Sequence, residues 1–345
     1  MSSQKPLNEE EIIRLLWRTF GKSSSSKSGK DPFNDDVAWK VIPDRWKKKG
    51  IRAQSMFISK SDMLVSSTDV PKGMAPRQIA SKSITACVSD FASKGVKPQY
   101  CLLSLGLPKS FAKWNKVLEL GRGFRDACRL YGVQILAGDV NATEYDLVID
   151  CSMYGLANSI VKRSGARPGD FVGVSGKFGL QSAGLRLLQG VAKTSDRGFE
   201  RAAKNSVLNP RARLDLGLSI AKLLTSSIDS SDGLALSLYH IAESSNVNIE
   251  INKIPLAEGI TYFAEENELD PTALALFGGE EYELVSTYSP ETIPREKAEK
   301  LGIMKIGRVT PLTGRTPRVF MTPMGRRKTE IISRRGWLHF ASSSC

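Results

Sequence analysis

Histidine is nearly absent from this chain, with two in 345 residues, His240 and His339. Two histidines so placed argue against a Ser-His-Asp hydrolase, and no G-x-S-x-G accompanies them. The five cysteines (Cys87, Cys101, Cys128, Cys151 and Cys345) are odd in number and form no C-x-x-C. Neither a disulfide framework nor a zinc site is therefore indicated, and the four that sit in apolar segments read as buried thiols. No apolar run approaches the ~20 residues of a membrane helix. The opening MSSQKPLNEEEIIRLLWRTF lacks the basic-then-apolar pattern of a secretory signal. A soluble, cytoplasmic protein with no membrane partner is the expectation. The Gly-Lys-Ser/Thr end of a Walker A loop is missing, and so are the H-R-D and D-F-G stretches of protein kinases.

What the chain has in quantity is basic charge and oddly placed aspartates. The formal net charge is +13. Dense spots lie at Arg45-Trp46-Lys47-Lys48-Lys49 and Gly325-Arg326-Arg327-Lys328. No nucleic-acid motif goes with them, so anionic small substrates or a basic solvated surface are favoured over nucleic acid. The aspartates recur at the ends of apolar runs beside small or polar neighbours: Asp35-Asp36, Asp69, Asp90, Asp139, and the pair within Ile228-Asp229-Ser230-Ser231-Asp232-Gly233-Leu234. Any one of them could simply cap a helix or close a turn. Repeated in one style, they point to a shared acidic pocket. Two like charges ~4 Å apart cost about 1 kcal/mol in water and about 4 kcal/mol at an effective dielectric near 20, so such a pocket needs cations. Oxygen ligands without His or Cys suit Mg²⁺, which usually carries substrate phosphates. Phosphoryl transfer or ATP-driven chemistry follows.

The periodicities predict an α/β protein of α+β order, without the regular βαβ alternation of a doubly wound sheet. Helices are expected at 7–20, 77–94, 111–131, 180–188, 211–224 (capped by Asn209-Pro210) and 234–244. Strands are expected at 37–42, 62–69, 101–107, 133–139 (ending in the Asp139 carboxylate), 147–156, 170–175, 247–251, 304–309 and 318–321, with a Gly-Gly turn leading into a further strand in 274–285. Residues 21–30 read as a flexible, low-complexity loop. A second unit is expected to begin near Ser159, giving domains 1–158 and 159–345. Gly173-Val174-Ser175-Gly176-Lys177-Phe178-Gly179 has the spacing of a phosphate-cradling turn, though glycines needed for tight packing are the favoured reading.

The ordered set of motifs resembles the thiamine-monophosphate kinase family, of the superfamily that includes aminoimidazole ribonucleotide synthetase and the hydrogenase-maturation dehydratase. The stretches that carry the resemblance are Asp35-Asp36-Val37-Ala38, Ser67-Thr68-Asp69, Val88 to Pro98, Leu136-Ala137-Gly138-Asp139, Lys162 to Asp170, Ser227 to Leu234, Gly278 to Leu284 and Gly336-Trp337-Leu338-His339-Phe340. The resemblance implies direct transfer of the ATP γ-phosphoryl to thiamine monophosphate, with several Mg²⁺ ions and no covalent enzyme intermediate. It implies metal ligation by Asp36, Ser67, Thr68, Asp69, Asp90, Asp139, Asp229 and Asp232. Nucleotide contacts fall to Gly138, Asp139, Arg163 and Ser231, and thiamine contacts to Glu280 and Trp337. The implied fold has two domains and a site between them. Its first, four-stranded sheet joins that of a dimer mate in a barrel-like core, and its second domain is an α/β sandwich.

Three places depart from the family pattern. Val70-Pro71-Lys72-Gly73-Met74 follows Asp69 where a Gly-x-His-Phe is usual, Gly-Gly-Glu-Asp is Gly-Gly-Glu-Glu, and Gly-Asp-Asp is Asn34-Asp35-Asp36. Two other readings stand beside the kinase. One is a carbamoyl dehydratase acting through Cys345, although Ser342-Ser343-Ser344-Cys345 is not the Pro-Arg-x-Cys tail that enzyme carries. The other is a non-catalytic ATP-binding regulator.

Overall fold

The computed structural model describes residues 11–13, 15–16, 35–42, 55–322 and 329–337. The 7–20 helix is represented by 11–13 and 15–16, which are helical. The 21–30 loop, both dense basic spots, His339 and Cys345 lie outside the described residues.

The first half supplies five strands, β1 (Ala38–Val41), β2 (Met56–Val65), β3 (Tyr100–Pro108), β4 (Gln134–Thr143) and β5 (Val148–Ala157). They form one sheet in the order β1-β2-β5-β3-β4, antiparallel except for the β3–β4 pair. The sheet therefore has the five strands read from the residues, where the family resemblance implied four. Period-two alternation decides its faces. In β2, Ile58 and Leu64 are buried while Phe57 and Met63 are exposed. Inward residues pack on the Pro76–Ser93 helix, and among the described residues nothing covers the other face.

That helix starts with Pro at its first position, and the Gln78 side chain accepts the Ala75 N–H at 2.9 Å. Thirteen of its eighteen residues are buried, which is what a helix packed on two sides requires. One side meets the first sheet: Phe91, fully buried, lies against Gly155 of β5. The other side meets the second half, where Gly217 approaches so closely that a Cβ there would sit 2.1 Å from the Ala92 carbonyl oxygen. One apolar cluster consequently holds Ile84, Val88 and Phe91 together with Leu214, Ile220, Leu284 and Tyr288.

The second half adds β6 (Phe171–Val174), β7 (Ser226–Asp229), β8 (Asn248–Ile251), β9 (Leu284–Tyr288), β10 (Met304–Thr310), β11 (Val319–Met321) and β12 (Glu330–Ile331). They form a seven-stranded mixed sheet in the order β12-β11-β8-β10-β6-β9-β7. The Leu234–Ser245 helix packs on it through Leu234, Leu238 and Ile241. A smaller cluster joins the Leu180–Gln189, Arg197–Leu208 and Ile260–Glu266 helices.

Several elements depart from their sequence reading. The strand expected at 62–69 starts earlier, at Met56, and ends at Val65; Ser66–Asp69 is a helical turn. The Val65 N–H donates to the Asp69 carboxylate at 2.7 Å, which closes that turn. The strand expected to stop at Asp139 continues to Thr143, pairing with β3 throughout. Asn209 ends the Arg197–Leu208 helix instead of opening the next one, which begins at Leu214. Residues 274–277 finish a short Pro271–Phe277 helix capped by Asp270.

Candidate active site

The Ile228-to-Leu234 stretch forms the end of β7, a turn, and the start of the 234–245 helix. Two glycine-led segments press against the turn. The Glu280 N–H donates to the Ser231 carbonyl at 2.5 Å and the Trp337 N–H to the Asp232 carbonyl at 3.0 Å. Gly336 is what allows the second contact, because a Cβ there would lie 2.2 Å from the Asp232 carbonyl oxygen. Glu280 (φ 64) and Tyr282 (φ 52) sit in the left-handed region. Such backbone is costly for non-glycine residues and is tolerated where neighbours fix it, often at functional sites.

Facing this turn is the 76–93 helix, with Lys82, Ala86 and Asp90 on one stripe at i, i+4, i+8. Between them opens a cavity of about 240 Å³. Lys60, Asp62, Asp69, Lys82 and Asp90 line its first-half wall, and Asp229, Ser231, Asp232, Glu280, Tyr282 and Trp337 the opposite one. A second cavity, about 110 Å³, shares Lys60, Asp90, Asp229, Ser231 and Asp232 and adds Asp36, Arg163 and His240.

Where the two cavities meet, one carboxylate oxygen from each of Asp36, Asp90 and Asp229 lies within 4.8 Å of the others. All three residues are buried. Their surroundings differ. Asp36 has Lys94 Nζ at 2.6 Å, Arg163 Nε at 2.8 Å and the Ser93 hydroxyl at 2.9 Å. Lys94, itself fully buried, also reaches Asp35 at 2.7 Å and the Ser227 carbonyl at 2.6 Å. Burial alone would raise the Asp36 pKa, yet the two cations hold it well below the ordinary carboxylate value. Among the described residues the Asp229 carboxylate accepts one hydrogen bond, from the Ser89 hydroxyl at 2.6 Å. Burial and then the Asp36 charge push it up to about 6. Asp90 is raised too, by burial and by Asp229, Asp36 and Asp62, against the pull of Lys60 at 2.8 Å.

This acidic seam between two α/β halves invites comparison with known proteins. Residues 48–157 match the family model for AIR synthase related protein, N-terminal domain. A thiamine-monophosphate kinase from Nitrosopumilus maritimus is 35% identical over 97% of this chain and 99% of its own. The chain belongs to the thiamine-monophosphate kinase family. The solved structure "AaThiL complexed with AMPPCP and TMP" is 29% identical, with a TM-score of 0.81 over 98% of this chain and all of the other. The hydrogenase maturation protein HypE shares the fold at 20% identity and a TM-score of 0.61, over 80% of this chain and 88% of its own.

Of the residues that the kinase motifs single out, the structure gathers Asp36, Asp69, Asp90, Asp229, Asp232, Arg163, Ser231, Glu280 and Trp337 around the two cavities. Ser67 and Thr68 are not brought in. Both are exposed on the 66–69 turn, where the Thr68 hydroxyl donates to the Val65 carbonyl and the Ser67 N–H to Asp146. Gly138 and Asp139 are likewise outside. Asp139 pairs with Ser104 of β3, Ser104 with Asp150 of β5, and Asp150 with Met63 of β2. Three strand spacings, ~14 Å, thus separate Asp139 from the Met63 wall of the larger cavity.

The seam's donor set fits Mg²⁺. It offers carboxylate oxygens without nitrogen or sulfur, and two of the three carboxylates are raised by burial first and then by neighbouring negative charge, a state that a bound cation would relieve. By contrast, the 173–179 turn is no phosphate cradle. The Glu281 carboxylate accepts the Gly179 N–H at 2.6 Å, and a Cβ on Gly176 would run into the Glu283 carboxylate. The longer arm of the second Glu in Gly-Gly-Glu-Glu therefore caps the 180–189 helix and turns away from the cavities.

Four lysine and aspartate positions that the kinase motifs did not assign also belong to the site. Lys60 and Asp62 follow Ile58 and precede Leu64 on the inward face of β2, an alternation readable from sequence. Lys82, eight residues before Asp90 and so on the same helix face, carries the same kind of signal. Its Nζ bridges the Asp69 carbonyl at 2.6 Å and Glu280 at 2.5 Å, joining the two walls. Lys94, by contrast, gives no hint of its depth in the core.

Proposed function

We propose that this chain phosphorylates thiamine monophosphate to thiamine diphosphate by direct in-line transfer from ATP. The observation that carries the reading is the two-sided cavity, with buried carboxylates at one end and Glu280 and half-exposed Trp337 at the other. Both reactants are anionic, so charge repulsion is the main barrier, and Mg²⁺ supplies the neutralising charge when bound. Asp36, Asp90 and Asp229 would hold it, with Asp69 and Asp232 adjoining and Ser67, Thr68 and Asp139 added by the family pattern. Arg163 and Ser231 line the smaller, adjoining cavity and suit nucleotide phosphates, with Gly138 assigned there by the family pattern. Glu280 offers a carboxylate to the cationic heterocycle and Trp337 an aromatic face for stacking. Cavity residues come from both 1–158 and 159–345, which supports treating these as two domains closing on one site.

Incubation with Mg-ATP and thiamine monophosphate is expected to yield thiamine diphosphate and ADP one for one. Asp229→Asn and Asp232→Asn are each expected to lower kcat by about a hundredfold or more while leaving the circular dichroism unchanged. ATP binding without thiamine diphosphate under any divalent metal would instead favour the regulator reading. Homodimerisation is part of the proposal. The bare face of the first sheet exposes Phe57, Met63, Tyr100 and Leu156, and its edge strand exposes Leu136 and Val140, an apolar surface of the kind that partners cover. Sedimentation equilibrium is expected to return twice the chain mass; a monomer at all concentrations would remove that part. No helix among the described residues is long and apolar enough to cross a membrane, and action in the cytoplasm is proposed with the rest.

A further inference from the structure

The three seam carboxylates are not held alike. Asp36 is gripped by Lys94 and Arg163, and Lys94 is fully buried and tied to Asp35 and the Ser227 carbonyl as well. That ammonium is part of the core. Asp229 has a hydroxyl and no cation within salt-bridge reach among the described residues. Asp90 has one cation among them, Lys60 Nζ at 2.8 Å. Lys60 differs from Lys94 in a way that matters. Its side chain is 25% exposed against 0% for Lys94, it lines both cavities, and among the described residues Asp90 is its one ion-pair partner. A lysine on a flexible four-carbon stem, tied at one point and touching open cavity, can leave without breaking the core.

We propose that Lys60 is a tethered counter-ion of the metal pocket, one that an entering divalent cation must displace from Asp90. In the metal-free chain its ammonium offsets the charge of Asp90 where Asp36, Asp90 and Asp229 converge. Metal binding is then an exchange, in which the metal takes the Asp90 oxygen and the ammonium withdraws into the adjoining cavity. Lys60 thereby lowers metal affinity and stabilises the empty site. This rests on the kinase reading for its need of a divalent ion. It makes Lys60 a positioning residue that acts through Asp90.

The test uses the whole chain without nucleotide, with Mn²⁺ as probe and free Mn²⁺ read by electron paramagnetic resonance at neutral pH and low salt. Lys60→Met is expected to bind Mn²⁺ roughly tenfold more tightly than the native chain, because a positive charge beside the ligand is gone. Lys60→Arg keeps the charge and is expected to stay within about twofold of native. In thermal melts, metal-free Lys60→Met is expected to be less stable than native and to gain more from Mn²⁺. Should Lys60→Met fail to fold, as judged by circular dichroism, Lys60→Gln takes its place with the same expectation. Equal or weaker Mn²⁺ binding by the neutral variant, or tighter binding by Lys60→Arg as well, overturns the proposal. Because no turnover is measured, failure of the kinase reading and failure of this one remain distinct.

Discussion

Asp36, Asp90 and Asp229 show how far neighbours decide the state of one residue type. Two cations press Asp36 down, while Asp229, with one hydroxyl, is pushed up to about 6. Glu281 is a related case away from the metal pocket. Burial, and secondarily Glu283, raise it to about 8, although the Gly179 N–H opposes the rise. Its ordinary value of 4.5 applies once the chain unfolds. Between those two values the folded chain keeps a proton that the unfolded chain has lost. The stabilisation is therefore fully present below 4.5 and is lost as pH rises towards about 8. Urea titrations are expected to show native stability falling across that window relative to Glu281→Gln, by up to about 5 kcal/mol. Parallel curves for the two proteins would contradict the raised pKa. Asp139 offers a second residue-scale test. Asp139→Asn should spare Mn²⁺ binding by the isolated seam carboxylates; loss of turnover with binding intact would mean that the edge strand acts through an assembled partner, and unchanged turnover would take Asp139 off the list of metal ligands.

At the scale of elements, the 231–232 turn is held by the segments at 279–280 and 336–337, and the second depends on a missing side chain. Gly336→Ala forces a Cβ against the Asp232 carbonyl, so Trp337 should swing away from the cavity. The KM for thiamine monophosphate is expected to rise about tenfold with a smaller change in kcat, since stacking is made before and during transfer alike. An unchanged KM would show that Trp337 does not touch the substrate. The main helices and strands near the site were legible because apolar residues recur at helical spacing in the helices and alternate along the strands: the 76–93 helix, β3, β5 and the 234–245 helix lie within a residue or two of expectation. What was not legible depends on distant partners. Ser66–Asp69 reads as strand until the Asp69 carboxylate is seen closing a turn on Val65. β4 reads as ending at its aspartate, yet its backbone pairing with β3 carries it four residues further. Charge pairing across the seam, such as Lys82 with Glu280, joins residues nearly two hundred positions apart and leaves no local trace.

For the whole molecule, the shared cluster around the 76–93 helix couples the halves. Calorimetry is expected to show one unfolding peak, and Phe91→Ala, which empties a fully buried site facing β5, should lower the stability of both halves together by about 3–5 kcal/mol. Two separable peaks would mean that the seam is weak. The same helix has a consequence during synthesis. It leaves the ribosome early, and its first partners soon follow, but β7, the 214–220 helix and β9 come more than a hundred residues later. Until Tyr288 has emerged, the nascent first half carries a helix with one face still waiting for its cover. Exposed apolar surface on a growing chain is what chaperones bind. The halves of this fold are accordingly poor candidates for exchange as free-standing modules, since a fragment ending at 158 takes the helix but leaves behind the surface that finishes it.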